Sequence, residues 1–516
     1  MKTFRGAWSL AGLVAGVAGL ATSYFVAMVM TIRESPVVAV AELVIRLTPG
    51  ALAEKAIRVL GHHDKTVLVA VILVLIGLVF ALAGELAQRS WWAPVVVFVV
   101  LAAVGVWAVT DARGATASDV LPVVVGLVTW LVCISVLTEA LRRGEALQDH
   151  APDDAGVAGL RDHTRRGFVL RSVAIVGAAG ALGFFGRVVG AGRRRVEESR
   201  RLLKLSGVTE PTVPAKARLD VSGISSWQTP VDDFYLIHTA IVAPAIEPKD
   251  WSLRIHGLVD RELVITYDEL LARQTTEAWI TLNCVSNPVG GPLIGNAWWS
   301  GVRLADLLAE AGVSPDADAV LQTSEDGWTC GTPLVALTDN RNAMLAVAMN
   351  GKPLEIDHGF PVRTIVPGLY GYVSATKWVV DLEVSTFADI DAYWTRRGWS
   401  ELGPVKMSSR IDVPGSGDRV GGGDVTFAGM AWSQHTGIEA VHIAVDGGSW
   451  LPAEISHPPT NDTWVQWVAR VPVAAGDHVV RVRATDKTGQ VQTGVERDVV
   501  PDGSTGWHSV DFTVAD

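Results

Sequence analysis

The stretch Thr281-Leu-Asn-Cys-Val-Ser-Asn-Pro-Val-Gly-Gly-Pro-Leu-Ile-Gly-Asn296 holds Cys284, one of 3 cysteines in 516 residues. The run ahead of it, Glu277–Asn283, is rich in aromatic and β-branched residues and predicts a strand. Behind it Pro, Gly and Asn mix, which is loop chemistry. Val302–Ala311 then predicts a short amphipathic helix, with Leu304, Leu307, Leu308 and Ala311 on one face and Gly312 as its stop. Cys284 therefore falls where a strand gives way to a glycine-rich loop, a usual place for a functional group on a rigid scaffold. A lone cysteine is more often a small buried hydrophobe than a reactive group, so the thiol by itself decides nothing.

Working outward, 516 residues are too many for one ordinary domain. The apolar residues concentrate in the first two fifths of the chain, while the formal net charge is −11. Arg193-Arg-Arg195 is a short basic run beside an apolar span and not a nucleic-acid patch. Cys133, Cys284 and Cys330 form no CxxC or CxxCH pattern, and no His-x-x-x-His occurs. That argues against c-type haem, iron–sulfur and zinc sites.

Four apolar runs, Ala7–Ile32, Val67–Ala87, Trp91–Thr110 and Asp119–Thr138, reach the roughly 20 residues a membrane span needs. Phe168–Gly192 is a fifth, weaker and richer in glycine. Val37–Leu47 and Gly50–Leu60 have helical periodicity and suit helices lying on a membrane surface or in solvent. Lys2 and Arg5 place the N-terminus in the cytoplasm, and the arginine-rich 141–167 loop, Leu141–Gly167, joins it there. The fifth span then exits, and everything beyond it is extracytoplasmic in a multi-pass protein of the cell membrane. Lysines and arginines in 33–66 and the Arg193-Arg-Arg195 run disagree with that orientation. Thr164-Arg-Arg-Gly-Phe-Val-Leu170 resembles a twin-arginine export signal built on Arg165 and Arg166, with an ordinary basic flank as the alternative. No histidine lies in the first four spans, which predicts an anchor and not a b-type haem electron wire.

The domain reading is a membrane domain over 1–192, a linker over 193–224, an α+β domain over 225–403 and an all-β domain over 404–516. Trp251–Val259 and Ala343–Met349 predict strands, Val264–Leu271 a strand running into a helix, and Ala319–Cys330 a further strand or buried segment. Val425–Trp432, Ile438–Val445, Val465–Val471 and His478–Thr485 predict strands split by turns such as Asp446-Gly-Gly448. That pattern suits a C-terminal immunoglobulin-like sandwich.

Three ordered stretches together resemble the sulfite oxidase family in its membrane-anchored bacterial branch. They are Thr281–Leu308, Asn350-Gly-Lys-Pro-Leu-Glu-Ile-Asp-His-Gly-Phe-Pro-Val-Arg-Thr-Ile-Val-Pro-Gly-Leu-Tyr-Gly371, and Ala392-Tyr-Trp-Thr-Arg-Arg-Gly-Trp399. The resemblance covers roughly Ser225 to the C-terminus. It implies a molybdenum–molybdopterin cofactor whose metal takes the Cys284 thiolate, a soft ligand suited to such a centre. It further implies cofactor contacts from Tyr235, His238 and Thr239 on a first strand Asp233–Ile241, from Asp326 in Ser324-Glu-Asp-Gly-Trp328, from His358 and Arg363, and from Ser374, Thr376 and Lys377. The C-terminal domain resembles the family's dimerisation domain.

The chain departs from the family where substrate would bind. Arginines that surround a sulfite anion are replaced by Ile237, Pro288 and Val289, and the active-site tyrosine by Asp391, with Tyr393 close by. Without those cations sulfite would bind poorly. Asp391, Tyr393 and Arg396 are the candidate catalytic residues beside Cys284, with Arg397 a further substrate-contact candidate. The expected function is two-electron oxygen-atom transfer on a small substrate by a membrane-anchored oxidoreductase that exchanges electrons with a separate carrier or quinone. It would be sulfite oxidase-like without being a true sulfite oxidase. A non-catalytic cell-surface receptor with an enzyme-like domain is the alternative, and a metal-free thiol enzyme, which would need a base beside Cys284, a weaker one.

Overall fold

A computed structural model describes residues 6–515 apart from 31, 33, 61–62, 113–114, 151–154 and 190–191. Within helices the side chains at 51, 53–54, 57–58, 144, 147–150, 155–163, 165 and 189 are left aside. The chain divides into two compact units. One is Met1–Val196 with Thr239–Ala245, and the other is Glu197–His238 with Ile246–Asp516.

The first unit is helical: α1 Ala7–Val29, α2 Pro36–Leu47, α3 Gly50–Leu60, α4 Asp64–Arg89, α5 Trp92–Thr110, α6 Leu121–His150 and α7 Ala155–Val189. Five helices among the described residues are long and apolar enough to cross a membrane, by length and composition. α1 packs against α4, α6 and α7. Phe80, Phe98 and Trp130 form an aromatic knot inside the bundle, with ring centroids 5.4 to 6.2 Å apart. The Trp130 indole N–H donates to the Gly16 carbonyl at 2.9 Å, so the one polar atom of that ring is satisfied. Lys65 Nζ donates to the Ala240 carbonyl at 2.6 Å and the Ile241 amide donates to Glu42 at 3.2 Å, which ties 239–245 to this unit. The sequence reading made 141–167 a loop. Instead α6 runs on to His150 and α7 begins at Ala155, since the Arg- and Ala-rich flanks are good helix formers and extend the apolar cores. The Arg165-Arg166 pair thus lies within a helix.

The second unit opens with α8, Gly192–Leu202, whose end it contains, and Leu203, Leu205 and Val208 beyond it pack on the core. Two five-stranded sheets follow. The first runs β2-β1-β10-β5-β6, from β1 Ser252–Gly257, β2 Leu263–Thr266, β5 Ala319–Ser324, β6 Thr329–Pro333 and β10 Val379–Ser385. Helices α9 Tyr267–Leu271, α10 Leu304–Ala311 and α11 Leu334–Thr338 accompany the sheets. The second sheet joins β3 Thr276–Asn283, β4 Ile294–Arg303, β7 Met344–Met349 and β8 Lys352–Pro353, with β9 Arg363–Ile365 paired to β7. α9 begins with a capping box, Thr266 and Glu269. α10 ends on Gly312 and buries Leu304, Leu307, Leu308 and Ala311, the face read from the sequence. Ala319–Cys330 forms two strands and not one, because Ser324–Trp328 makes a turn with Gly327 at positive φ. Asp233–Ile241 forms no strand: Phe234 packs its ring on Trp299 and His358, and 239–245 departs to the helices, so no ladder partner is reached.

The C-terminal part is all β: β11 Ser408–Val413, β12 Asp418–Val420, β13 Gly423–Trp432, β14 Ile438–Val445, β15 Leu451–Ile455, β16 Val465–Val473, β17 Gly476–Asp486 and β18 Ser509–Val514. Phe427, Ile443, Trp467, Val480, Val482 and Phe512 fill its core. Tryptophans join it to the second sheet through β3. Trp227, Trp279, Trp432 and Trp464 form one buried cluster. The Trp227 and Trp464 indoles donate to each other's carbonyls at 3.2 and 3.0 Å. Truncating Trp464 would empty this junction and leave the Trp227 carbonyl with the Asn296 side-chain amide as its remaining donor. Trp464→Ala is expected to cost about 3–5 kcal/mol, read as a fall in the denaturation midpoint of the detergent-solubilised chain.

Candidate active site

β3 and β4 pair from Thr276↔Gly301 to Asn283↔Ile294, and the loop 284–293 closes the hairpin. The Cys284 amide donates to the Leu293 carbonyl at 3.0 Å, and the Asn287 side chain accepts from the Leu293 amide at 2.9 Å. The thiol therefore sits on a braced turn. Part of the Cys284 surface stays open, yet enough protein surrounds it that burial raises the thiol, while bonds from the Ser286 amide and hydroxyl pull the other way.

Two tyrosines sense the charge of Cys284. Tyr235 is raised above the usual phenol range, mainly by burial and then by Cys284. Tyr370 is pushed up to about 12, mainly by burial, with Cys284 adding to it. Both phenols stay protonated at neutral pH. A methyl group added at Gly371 would lie 3.7 Å from the Tyr235 hydroxyl and 3.9 Å from the Asn283 carbonyl, so these three groups meet at one spot.

The cationic side is built on Ile356–Lys377. Arg363 is only 4% exposed, its Nη1 donates to the His358 carbonyl at 3.0 Å, and its ζ carbon lies 5.2 Å from the Trp299 ring centroid. Burial pulls it down to about 10, so it remains charged at neutral pH. Among the described residues its buried Nε finds no partner. His358 Nε2 meets the Val231 carbonyl at 3.2 Å. A carbonyl only accepts, so in the neutral ring Nε2 carries the proton and Nδ1 is a bare acceptor. That Nδ1 is buried and unpartnered, as is Asn283 Oδ1. Lys377 Nζ donates to the Asp357 carbonyl at 2.8 Å and stands 3.4 Å from His238 Nδ1. Gly359, at φ +108°, lets the strands close here, since a Cβ would lie 3.0 Å from the Arg363 Cβ and 3.2 Å from Lys377.

The structure thus gathers Cys284, Tyr235, His238, His358, Arg363 and Lys377. Other sequence candidates take structural bonds. Ser374 is fully buried and donates to the Tyr370 carbonyl at 2.9 Å. The Thr376 hydroxyl meets Cys330 Sγ at 3.2 Å, in a buried network with Gln322, Thr332 and Thr364. Asp326 accepts from the Trp328 amide at 3.1 Å in the β5–β6 turn, beside Trp378 through the Glu325 amide. Thr239 lies in the segment that packs with the helices. Asp391 and Arg396 form an exposed ion pair at 3.6 Å, which contributes little. Tyr393 is buried, its amide is bonded to Thr329 of β6, and the Arg397 guanidinium covers its ring at 3.8 Å. Sequence reasoning missed Phe234, Asn283, Trp299 and Tyr370, because aromatic and amide side chains in strands and loops read as core.

His358 yields a pH prediction. Burial, then Lys377 and Arg363, hold it down to about 3 from 6.5. The unfolded chain binds that proton more readily, so this contribution to stability is whole above about pH 6.5 and is lost as pH falls toward 3. The melting temperature of cofactor-free protein should drop between pH 7 and pH 4, and drop less in His358→Gln. Equal drops would contradict a buried neutral imidazole.

A family model described as the oxidoreductase molybdopterin binding domain matches residues 239–394. The uncharacterized oxidoreductase YuiH of Bacillus subtilis is 32% identical over 184 residues, which is 36% of this chain and 89% of that protein. The mitochondrial sulfite oxidase of Drosophila melanogaster is 30% identical over 319 residues, 51% of this chain and 55% of the relative. That of Homo sapiens is 29% identical, over 53% of this chain and 59% of the relative, so the chain spans little more than half the length of these sulfite oxidases. Among solved structures, the sulfane dehydrogenase SoxCD from Paracoccus pantotrophus matches with a TM-score of 0.50 and 24% identity, over 60% of this chain and 86% of that one, a likeness of fold.

Proposed function

From the premise that this chain belongs to the sulfite oxidase family of molybdopterin-dependent oxidoreductases, we propose that it catalyses oxygen-atom transfer on a small substrate from a membrane-anchored domain. The observation that carries the reading is the buried Arg363 charge with an unpartnered Nε, on the same braced scaffold as the Cys284 thiol. Orphaned polar atoms of this kind are costly unless a ligand completes them. An anionic, donor-rich pterin fits that need, and a thiolate fits the metal. Among the described residues no three His, Cys, Asp or Glu side chains could hold a metal by themselves. A single protein ligand is enough only where the cofactor brings the rest of the coordination.

In this reading Cys284 would hold molybdenum, and Arg363, His358, His238 and Lys377 would hold the pterin and its phosphate. When bound, the group supplies two-electron oxygen-atom exchange with substrate. The chain's own work is to bind and orient. Arg363 brings a fixed charge braced on Trp299, His358 a bare acceptor, and Tyr235 a phenol that keeps its proton beside the thiolate. Pro288 and Ile237 are exposed and apolar where a sulfite anion would want cations. The substrate class favoured is therefore an uncharged oxygen-atom donor or acceptor such as an S-oxide or N-oxide. Electrons pass to or from a separate carrier or quinone. The C-terminal sandwich, read as immunoglobulin-like, offers a surface for a homodimer. A cell-surface receptor would have no use for a buried cation beside a thiol.

Elemental analysis of protein from a cofactor-making host should find molybdenum near one per chain, and less in Arg363→Gln, which cannot bind the anion. Molybdenum-free but well-folded parent protein would sink the reading. The five long apolar helices motivate the anchored, outward orientation, with Arg165-Arg166 as the export signal. Protease added to intact spheroplasts should then degrade the molybdopterin domain and spare it in an Arg165→Lys/Arg166→Lys variant. Protection of the parent domain would refute the topology.

A further inference from the structure

The cysteine loop is held from outside its own sheet. Arg410, at the start of the C-terminal sandwich, is largely buried and makes three anchored contacts. Its Nη1 donates to the Gly291 carbonyl at 2.9 Å, its Nη2 to Ser225 Oγ at 3.0 Å and its Nε to Asp412 at 2.7 Å. Asp412 in turn accepts from the Ser225 amide at 3.0 Å. From the last strand connection, Ser504 Oγ donates to the Asn287 carbonyl at 2.8 Å. His508 Nδ1 accepts from the Ile411 amide at 3.0 Å, which fixes the ring against Gly290. Gly290 has φ +76°, and a Cβ there would lie 2.1 Å from the His508 ring. The same segment reaches Tyr370: a Cβ on Gly503 would lie 2.5 Å from the Tyr370 hydroxyl, and the Lys406 amide donates to that hydroxyl at 3.3 Å. Lys406 Nζ holds Asp502 at 2.7 Å and the Gly503 carbonyl at 2.9 Å.

We propose that Arg410 and the segment Asp502–His508 form a clamp that sets the position of Cys284 from the C-terminal sandwich. Arg410 is then a positioning residue for the metal ligand, acting through the Gly291 carbonyl, an inference that rests on Cys284 being that ligand. The contacts land at 287, 290 and 291, within the loop that begins at Cys284, and they leave its thiol untouched. A sandwich that served only as a dimer surface would have no need to brace a loop of the neighbouring domain at three points.

The test uses the full chain in detergent, cofactor-free, in a Cys133→Ser background. Alkylation of Cys284 by iodoacetamide is timed by peptide mass spectrometry, with buried Cys330 as the internal control for global unfolding. The clamp predicts that Arg410→Ala and Ser504→Ala each speed Cys284 alkylation, roughly tenfold for the arginine, as losing a buried charge-assisted hydrogen bond allows. Cys330 stays unlabelled, and Arg410→Lys recovers most of the protection. Should Arg410→Ala label Cys330 as well, it has unfolded, and Ser504→Ala decides alone. Alkylation rates at parental values in the folded variants would overturn the clamp. In cofactor-loaded protein the electron paramagnetic resonance signal of the bound molybdenum should shift in Ser504→Ala. If the parent binds no molybdenum, the ligand reading fails, while the alkylation rates still judge the clamp.

Discussion

A guanidinium cannot shed its proton at neutral pH, so burying one without an acid partner is expensive. Arg363 is buried in this way. Its charge meets a carbonyl, an indole face and a nearby phenol, and among the described residues its Nε has no partner. The surrounding structure exists to make that arrangement possible. β9 delivers Arg363 into the sheet beside β7, and Trp299 on β4 supplies the ring it rests on. Gly359 allows the approach of Lys377, whose charge also helps to keep His358 neutral. An anion with its own hydrogen-bond donors and acceptors would complete such a site, and this unpaired polarity is the structural argument for the cofactor.

The thiol depends on the same framework. β4 carries Trp299 under Arg363, and through its hairpin with β3 it fixes the turn that bears Cys284. The Cys284 thiol and the buried Arg363 charge are thus coupled through one pair of strands. The tryptophan junction extends the coupling to the C-terminal all-β part, where Trp227 and Trp464 exchange indole and carbonyl. The placement of Cys284 and Arg363 therefore rests on several packed elements and not on one loop, as precise positioning of a reactive group requires.

Much of this was legible in the sequence, for identifiable reasons. Helix α10, its apolar face and its Gly312 stop follow from periodicity and capping. The five apolar helices follow from length and hydropathy. β14 was read to the residue because its β-branched residues lie between two clear turn signals. The cradle was legible only through motif resemblance: nothing local says that His358 and Arg363 face one another or share a site with Cys284. Ser374 and Thr376 were expected as cofactor contacts only from the resemblance, and nothing local foretold that the Ser374 hydroxyl bonds the Tyr370 carbonyl and the Thr376 hydroxyl meets Cys330. Asp233–Ile241 was expected as a strand only from the resemblance, and forms none because its side chains and its continuation are claimed elsewhere. Long-range partners such as Arg410 for Gly291, 119 residues apart, leave no local signal at all.

The central claim is that Cys284 is the protein's ligand to molybdenum. X-ray absorption at the molybdenum edge, on the cofactor-loaded chain and on Cys284→Ser, tests it directly. The account predicts one sulfur neighbour fewer around molybdenum in the variant, with metal still bound by the cofactor cradle. An unchanged sulfur shell in a loaded, folded variant would contradict it.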